Sequence, residues 1–265
     1  MLSQFRQRSS RLEHLDIGDY TAEEYEGCMV ELRRVNTWLG DTRALRHTLL
    51  ADIEQAGLKS FSVLDVGAGS GELLRAAADW ARSKNLRGRF VGIELNTRSA
   101  SSIAEESDRF PEISAVRGDG LRLPFEDGAF DYAICSLFTH HFQDHAVVDL
   151  LRELARTARR SIFVIDLHRH PVAYYFYTTI GRLFLHNRLI REDGALSILR
   201  SFTPHELSRL ADQAGLEDVE VTRTFPYRLV LRGRNPVTNR LATDAVRDTH
   251  NQRLPFAATA TSNNR

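Results

Sequence analysis

The segment at residues 63–71 (Val-Leu-Asp-Val-Gly-Ala-Gly-Ser-Gly) constrains the fold of this chain more than any other. A short apolar strand runs into a glycine-rich turn, and a helix-forming run follows at residues 72–78. Glycine is favoured where the backbone turns sharply and a ligand comes close, so the pattern predicts the first βα unit of a nucleotide-binding sheet. The glycines read G-x-G-x-G, and Glu72 stands where a dinucleotide fingerprint would place its third glycine. Asp65 lies just before the turn, where a carboxylate is unfavourable beside a pyrophosphate but suits a positively charged ligand.

Strands and helices alternate over the central part of the chain. We predict strands at residues 61–66, 89–94, 113–117, 130–136 and 161–166, with helices at 71–83, 98–109 and 145–157 between them. This alternation gives a parallel sheet with right-handed crossovers. A helix that begins at Thr203-Pro204 and two closing strands, at 219–224 and 227–232, follow. The chain is therefore predicted to be α/β, with a doubly wound, mostly parallel seven-stranded sheet.

Other segments flank or interrupt this sheet. Residues 1–56 are expected to form an N-terminal helical extension or lid, in which residues 1–20 are polar and predicted to be loosely ordered. Residues 57–235 form the predicted central domain, and an aromatic-rich helical insertion occupies residues 168–200 after the fifth strand. Residues 236–265 are predicted to be a polar C-terminal tail.

Composition excludes several classes of protein. The chain has 35 basic and 35 acidic residues, so no overall field draws it to nucleic acid or to an anionic membrane. Two cysteines, Cys28 and Cys135, predict neither a disulfide framework nor a metal site and fit a reducing cytoplasm. The N-terminus lacks the apolar core of a signal peptide, and the most apolar run, around residues 171–190, is too charged to span a bilayer. We therefore expect a cytoplasmic protein without a transmembrane segment.

Four elements stand in the order in which class I, Rossmann-like S-adenosylmethionine-dependent methyltransferases present them. They are the glycine turn, the acidic end of strand two, the Gly-Asp-Gly sequence after strand three, and the end of strand four. Over about residues 60–166 the chain resembles this family, and in particular its small-molecule methyltransferases of quinone or polyketide type. The resemblance implies that S-adenosylmethionine is the cofactor, and that it is bound by Asp65, Gly67, Gly69, Gly71, Glu94, Leu95, Asp119, Gly120 and Ser136.

The resemblance also implies roles for two of the carboxylates. Glu94 would accept hydrogen bonds from both ribose hydroxyls, and Asp119 would accept one from the adenine amino group. Each residue also has a purely structural interpretation. Asp65 and Glu94 could be helix-capping or solvated acids, and a Gly-Asp-Gly turn needs no ligand.

Histidines follow strand four in the sequence Phe-Thr-His-His-Phe at residues 138–142, at the edge of the sheet where ligands bind. Small-molecule methyltransferases that resemble this chain carry a histidine pair there, and imidazole suits a general base near neutral pH. We expect His141, or else His140, to deprotonate a phenol or an enol. Asp166 or His168, at the end of strand five, is a second candidate. The alternative is that one histidine packs and the other caps the following helix.

The aromatic stretch at residues 171–199 is the best indication of the methyl acceptor. In related enzymes such insertions and N-terminal helices roof the acceptor pocket, which here predicts a hydrophobic or aromatic small molecule, methylated at oxygen. Tyr174, Phe176 and Phe184 could instead pack onto the sheet, contact a membrane surface peripherally, or form a homodimer contact. Both a monomer and a homodimer therefore stay open.

Other acceptors and functions are less consistent with the sequence. No Asn-Pro-Pro-Tyr or Asp-Pro-Pro-Tyr sequence follows strand four, and no basic patch is interleaved with aromatic residues, so no nucleic-acid partner is expected. A nicotinamide-dependent, NAD(P)-binding oxidoreductase would share the fold, but Glu72 and Asp65 argue against it. A non-catalytic scaffold would not need the set Asp65, Glu94 and Asp119.

Overall fold

Seven strands form a single sheet in the computed structural model, which describes residues 3–38 and 40–236 except for the side chains at positions 33, 36–38 and 182. The strand order is β3-β2-β1-β4-β5-β7-β6, and β7 runs opposite to the other six strands, which are parallel to one another. The strands are β1 (Ser60–Val66), β2 (Arg87–Glu94), β3 (Ile113–Arg117), β4 (Phe130–Ser136), β5 (Ala158–Leu167), β6 (Glu217–Thr224) and β7 (Arg228–Arg234). The prediction of a mostly parallel seven-stranded sheet is confirmed. The predicted tail lies outside the described residues from position 237 onward.

Helices cover both faces of the sheet. They are α1 (His14–Ile17), α2 (Ala22–Trp38), α3 (Asp41–Leu45), α4 (Ala51–Gln55), α5 (Glu72–Ser83), α6 (Thr97–Glu106), α7 (Asp144–Thr157), α8 (Pro171–Thr179), α9 (Arg188–Arg200) and α10 (Pro204–Ala214). A π-helical turn, Arg46–Leu50, joins α3 to α4, and short 3-10 turns lie at Ser3–Phe5, Thr139–His141 and Gly181–Leu183. None of the described helices combines the length and the hydrophobicity that a membrane span requires.

The continuous apolar runs of the strands follow from this double covering. Successive side chains of a strand point to opposite faces. In β1, Leu64 packs with residues of α7 and α10, while Val63 packs with residues of α3, α4 and α5. The strand order reverses between β1 and β4, which opens a crevice at their carboxyl ends where ligands bind in such folds.

The predicted start of α10 is confirmed in detail. The Thr203 hydroxyl oxygen accepts a hydrogen bond from the Glu206 backbone N–H, and the Glu206 carboxylate accepts one from the Thr203 N–H at 2.8 Å. Pro204 occupies the first turn, and Gly215, with φ of 78°, ends the helix in the left-handed conformation.

The expectation that residues 1–20 are loosely ordered is wrong for the part that the structure describes. The Arg8 guanidinium donates to the Asp144 carboxylate at 2.8 Å and to the Phe142 carbonyl at 2.9 Å. The Asp193 carboxylate of α9 accepts from the backbone N–H groups of His14 and Leu15. The segment is polar because its side chains pair with partners far along the chain, which its composition cannot reveal.

The N-terminal helices and the insertion pack on each other. Cys28 of α2 lies in a small apolar cluster with Leu189 and Ile190 of α9. Tyr177 of α8 and Leu15 of α1 pack against the same cluster. Both segments therefore border the cavity described next.

Candidate active site

The glycine turn after β1 needs glycine at two positions for different reasons. Gly67, Gly69 and Gly71 all have positive φ, between 58° and 79°. A Cβ added at Gly67 would lie 2.6 Å from the ring of Phe138, whereas one added at Gly69 would meet no atom within 4 Å. The first glycine therefore allows close packing, and the second leaves room beside the backbone for a ligand.

A cavity of about 630 Å³ lies at the carboxyl ends of β1, β2 and β4. This volume is in the range of small-molecule and cofactor sites. One part of its wall is polar and includes Asp65, Gly67, Gly69, Glu94, Ser136, His140 and His141. The other part is apolar and includes Leu15, Cys28, Met29, Leu32, Val35, Tyr177, Ile190 and Ile198, from α1, α2, α8 and α9.

Two carboxyl groups at the polar end have perturbed electrostatics. Asp65 is 2% exposed, and its Oδ1 atom is buried without a hydrogen-bond partner. Burial, and after it the charge of Glu94, raises the pKa of Asp65 to about 7. Burial also raises the pKa of Glu94, whose Oε1 accepts a hydrogen bond from the Gly69 N–H at 2.6 Å. A buried acceptor without a partner, beside a second carboxyl group, is suited to a cationic ligand.

His140 and Asp166 form a buried pair that joins the ends of β4 and β5. The His140 Nδ1 atom lies 2.7 Å from Asp166 Oδ1. The hydroxyl of Thr139 and the backbone N–H of His140 donate to Asp166 Oδ2, and the Leu167 N–H donates to Oδ1. Although burial alone would raise it, the charge and hydrogen bond of His140 and the other donors lower the pKa of Asp166 to about 2. Asp166 therefore stays ionised and fixes the orientation of the His140 ring.

His141 has a separate carboxylate partner. Its Nδ1 atom lies 3.0 Å from Asp16 Oδ1, and its side chain is 28% exposed, compared with 4% for His140. Partial burial would raise the pKa of Asp16, but hydrogen bonds from His141 and Arg200 hold it well below its usual range. The Arg200 guanidinium also donates to the backbone carbonyls of His140 and His141, at 3.2 and 2.6 Å. Arg200 and Asp16 thus fix the turn that carries both histidines.

Sequence reasoning missed three residues of this cluster, which are Glu13, Asp16 and Arg200. Glu13 is 3% exposed, lines the cavity and accepts a hydrogen bond from the Ser197 hydroxyl at 2.9 Å. Burial raises its pKa. Nothing in the local pattern of residues 3–20 indicates that these acids approach the end of β4, because the contacts are about 125 to 185 residues apart in sequence.

The ligand atoms of Glu13, His140 and His141 lie within 4.8 Å of one another, a spacing that could hold a metal ion. The His140 Nε2 atom is 4.0 Å from Glu13 Oε1. The Arg200 Nε atom is 3.8 Å from the same oxygen, so a cationic side chain already neighbours this carboxyl group. The arrangement can equally serve as a hydrogen-bonding network around a base, which needs no metal.

The cavity does not reach six of the predicted site residues, which are Gly71, Leu95, Asp119, Gly120, Asp166 and His168. Leu95 and Asp119 are exposed, and Asp119 Oδ1 accepts a hydrogen bond from the Leu121 N–H at 2.9 Å. Gly120 is buried against Val66 and the Phe138 ring. The His168 ring lies 5.3 Å from the ring of His170, and burial, followed by the charge of His170, lowers its pKa to about 4.

Known proteins resemble the domain that carries this cavity. A family model described as a methyltransferase domain matches residues 63–161. Among curated relatives, the demethylmenaquinone methyltransferase of Bacillus licheniformis is 24% identical over 61% of this chain and 73% of its own length. The demethylmenaquinone methyltransferase of Staphylococcus aureus is 26% identical over 63% of this chain and 72% of its own length.

Solved structures share the fold. Human N-acetylserotonin methyltransferase in complex with S-adenosylmethionine aligns with a TM-score of 0.59 and 17% identity, over 85% of this chain and 63% of that one. A methyltransferase from Aquifex aeolicus that depends on S-adenosylmethionine aligns with a TM-score of 0.54 and 16% identity, over 75% of this chain and 92% of that one.

Proposed function

We propose that this chain, which has the methyltransferase domain and the fold of class I S-adenosylmethionine-dependent methyltransferases, methylates an oxygen atom of a hydrophobic, aromatic small molecule. The cofactor supplies a methyl group that is already activated on a sulfonium. The chain therefore has to bind and align two partners, exclude water and accept a proton. An NAD(P)-binding oxidoreductase of related fold, or a scaffold without activity, is not favoured by the relatives.

The polar wall around the glycine turn is our proposed cofactor site, and the histidines lie beside it. Asp65 and Glu94 place two acidic groups beside the glycine turn, and Gly69 leaves open space there. The unpartnered Oδ1 of Asp65 would gain a cationic partner on binding, which removes the cost of burying a lone carboxyl group. Ser136 lines the same cavity, whereas Gly71, Leu95, Asp119 and Gly120 lie beyond its wall and stay predictions.

The apolar end is the proposed acceptor site. Its wall comes from the N-terminal helices and the insertion, so these two segments would act as the lid that the sequence predicts. Cys28 adds apolar surface and no nucleophile, because burial raises the pKa of its thiol to about 12. An aromatic acceptor would exclude water from the space between the two ends of the cavity.

The His140–Asp166 pair is the observation that carries the proposal. A buried, ionised Asp166 holds one ring nitrogen of His140, so the other nitrogen, Nε2, can accept the hydroxyl proton of the acceptor. The carboxylate then stabilises the imidazolium that forms. General-base catalysis by a positioned side chain is worth about a hundredfold in rate or more. His141, with Asp16, is the alternative base. Asp166 is better suited to positioning His140 than to acting as the base, since its pKa is about 2.

The acceptor class follows from the base and the relatives together. Removing a proton from a phenol, an enol or a hydroquinone creates an anion whose charge is shared between oxygen and ring carbon. The curated relatives carry the name demethylmenaquinone methyltransferase, which makes reduced naphthoquinones the first acceptors to try. We propose oxygen as the methylated atom, and the same base would serve an attack through carbon.

Single substitutions of the histidines test the proposed base. Turnover of reduced naphthoquinones and phenols would be measured for His140→Ala, His141→Ala and the matched control His145→Ala, whose histidine is exposed on α7. We expect His140→Ala to lower kcat about a hundredfold or more, because the base is lost. Cofactor affinity should stay within about twofold, since the base makes no proposed contact with it. Near-normal turnover in both His140→Ala and His141→Ala would show that neither histidine is the base.

A further inference from the structure

The insertion exposes a continuous apolar surface on one side of α8 and the turn after it. Its members recur every three or four residues, so they share one face of the helix. We name the α8 stripe as Val172, Phe176, Ile180, Leu183 and Phe184, which are 53%, 54%, 45%, 73% and 64% exposed. The opposite side of α8 is buried, because Ala173 is 8% exposed and Tyr177 lines the cavity. A helix that is apolar on both sides, with one side exposed, indicates an interaction surface.

The segment of sequence that carries the α8 stripe is basic. Between Asp166 and Glu192 the sequence has no acidic residue, but it has four arginines and three histidines. Arg169 pairs with Glu206, and Arg188 pairs with Glu24, so part of this positive charge is neutralised by other segments. The chain as a whole is neutral, and the excess of positive charge is therefore local to the insertion.

The N-terminal turn adds to this surface. The ring of Phe5 packs edge-on against those of Tyr174 and Tyr175, at 5.5 and 6.0 Å between ring centres. Arg6, which follows Phe5, is exposed. Tyrosines beside an apolar stripe, with arginines next to them, match the side chains that proteins place at the boundary between lipid tails and headgroups.

We propose that the α8 stripe docks on the surface of an anionic lipid bilayer, with α8 lying in the plane of the interface. Positive charge beside the stripe is attracted to anionic headgroups, and the exposed phenylalanines enter the boundary of the acyl chains. A second copy of the chain fits less well. A symmetric contact through the same surface would bring the two positively charged insertions together.

Docking would also place the acceptor cavity next to the lipid. Tyr177, on the inner side of α8, lines the cavity, so a single helix separates that cavity from the stripe. An acceptor dissolved in the bilayer could then enter without crossing water. Entry of an acceptor from the bilayer rests on the proposed function, but vesicle binding itself is measured without cofactor or acceptor.

Vesicle flotation of the whole chain tests the proposal. We would compare phosphatidylcholine vesicles that contain about a third phosphatidylglycerol, the composition chosen for its negative surface, with vesicles of phosphatidylcholine alone. We expect the protein to bind the anionic vesicles more tightly, and to lose that preference in high salt. Phe176→Gln with Phe184→Gln should weaken binding about a hundredfold, at about tenfold for each phenylalanine withdrawn from the interface. Phe225→Gln is the matched control, because Phe225 is 76% exposed outside the insertion, and it should bind like the unchanged protein.

Three results would overturn the proposal. They are the absence of binding to anionic vesicles, an equal loss in Phe225→Gln, and a dimer in solution that the Phe176→Gln/Phe184→Gln variant lacks. Titration with S-adenosylhomocysteine shows that this double variant is folded. If vesicle binding fails while a water-soluble phenol is methylated, the membrane contact is wrong and the proposed function stands. If vesicle binding succeeds and no acceptor is methylated, the membrane contact stands and the proposed function is wrong.

Discussion

Replacing Asp65 with asparagine should stabilise the fold at alkaline pH and weaken cofactor binding. Asp65 is buried with an unpartnered oxygen, and its pKa is raised to about 7, mainly by burial. A carboxyl group whose folded-state pKa is raised costs nothing below its unfolded value of about 4, where both states are protonated. The cost grows as the unfolded chain ionises, and it is complete once the pH exceeds about 7.

The magnitude follows from the size of the shift. Three pK units at 1.36 kcal/mol each give a full cost of about 4 kcal/mol above pH 7. About 1.5 kcal/mol of this is already present at pH 5, so roughly 2–3 kcal/mol develops between pH 5 and pH 8. Asparagine does not ionise, but its buried NH2 group would cost about 1–3 kcal/mol if it finds no acceptor. That second cost does not depend on pH, so the pH-dependent difference isolates the carboxyl group.

Urea unfolding of both proteins at pH 5 and pH 8 measures this difference. We expect the stability of Asp65→Asn relative to the unchanged protein to rise by about 2–3 kcal/mol between the two pH values. Calorimetric titration with S-adenosylhomocysteine gives the second half of the prediction. The unchanged protein should bind about tenfold more weakly at pH 6 than at pH 8, because Asp65 must ionise to hold a cation. Asp65→Asn should bind S-adenosylhomocysteine weakly at both pH values.

A stability difference that stays constant with pH would contradict this expectation, because it would mean that the Asp65 carboxyl group titrates alike in the folded and unfolded states. Unchanged affinity for S-adenosylhomocysteine in Asp65→Asn would show that this carboxylate does not contact the cofactor.

Two further substitutions test the turn and the histidine pair. Gly67→Ala should destabilise the fold by about 1–3 kcal/mol more than Gly57→Ala in urea unfolding. Both glycines have positive φ, but only the alanine at position 67 would place its methyl group 2.6 Å from the Phe138 ring. An equal loss of stability in the two variants would contradict this expectation. Asp166→Asn should lower kcat about a hundredfold with cofactor affinity within about twofold, since the ring of His140 loses its orienting charge. Loss of cofactor binding instead would assign Asp166 a purely structural role.

Local patterns were sufficient to predict most of the sheet. The alternation of strand-forming and helix-forming segments located β3 and β4 at their observed bounds, and the glycine turn located the end of β1. Each of these signals lies within a few residues of the feature it predicts. The capping residues of α10 are a similar case, because Thr203 and Glu206 interact across a single turn.

The arrangement around the histidines could not be predicted in this way. Strand order puts His140 and Asp166 on the same edge, which the sequence anticipated, but it does not determine which ring meets the carboxylate. The 3-10 turn at Thr139–His141, held by Arg200, determines that. Arg200 in turn needs Asp16, a partner 184 residues away in the chain. Such contacts follow from packing of distant segments, and no periodicity or spacing encodes them.

Isotope labelling of the methyl group tests whether this protein transfers it to an aromatic oxygen. The protein would be incubated with S-adenosylmethionine carrying a ¹³C-labelled methyl group and a chemically reduced naphthoquinone, and the product would be examined by carbon NMR and mass spectrometry. We expect a single labelled methyl group with the chemical shift of a methoxy carbon. A labelled methyl group on a ring carbon would contradict transfer to oxygen. The absence of any labelled product, from protein that binds S-adenosylhomocysteine, would contradict the proposed acceptor.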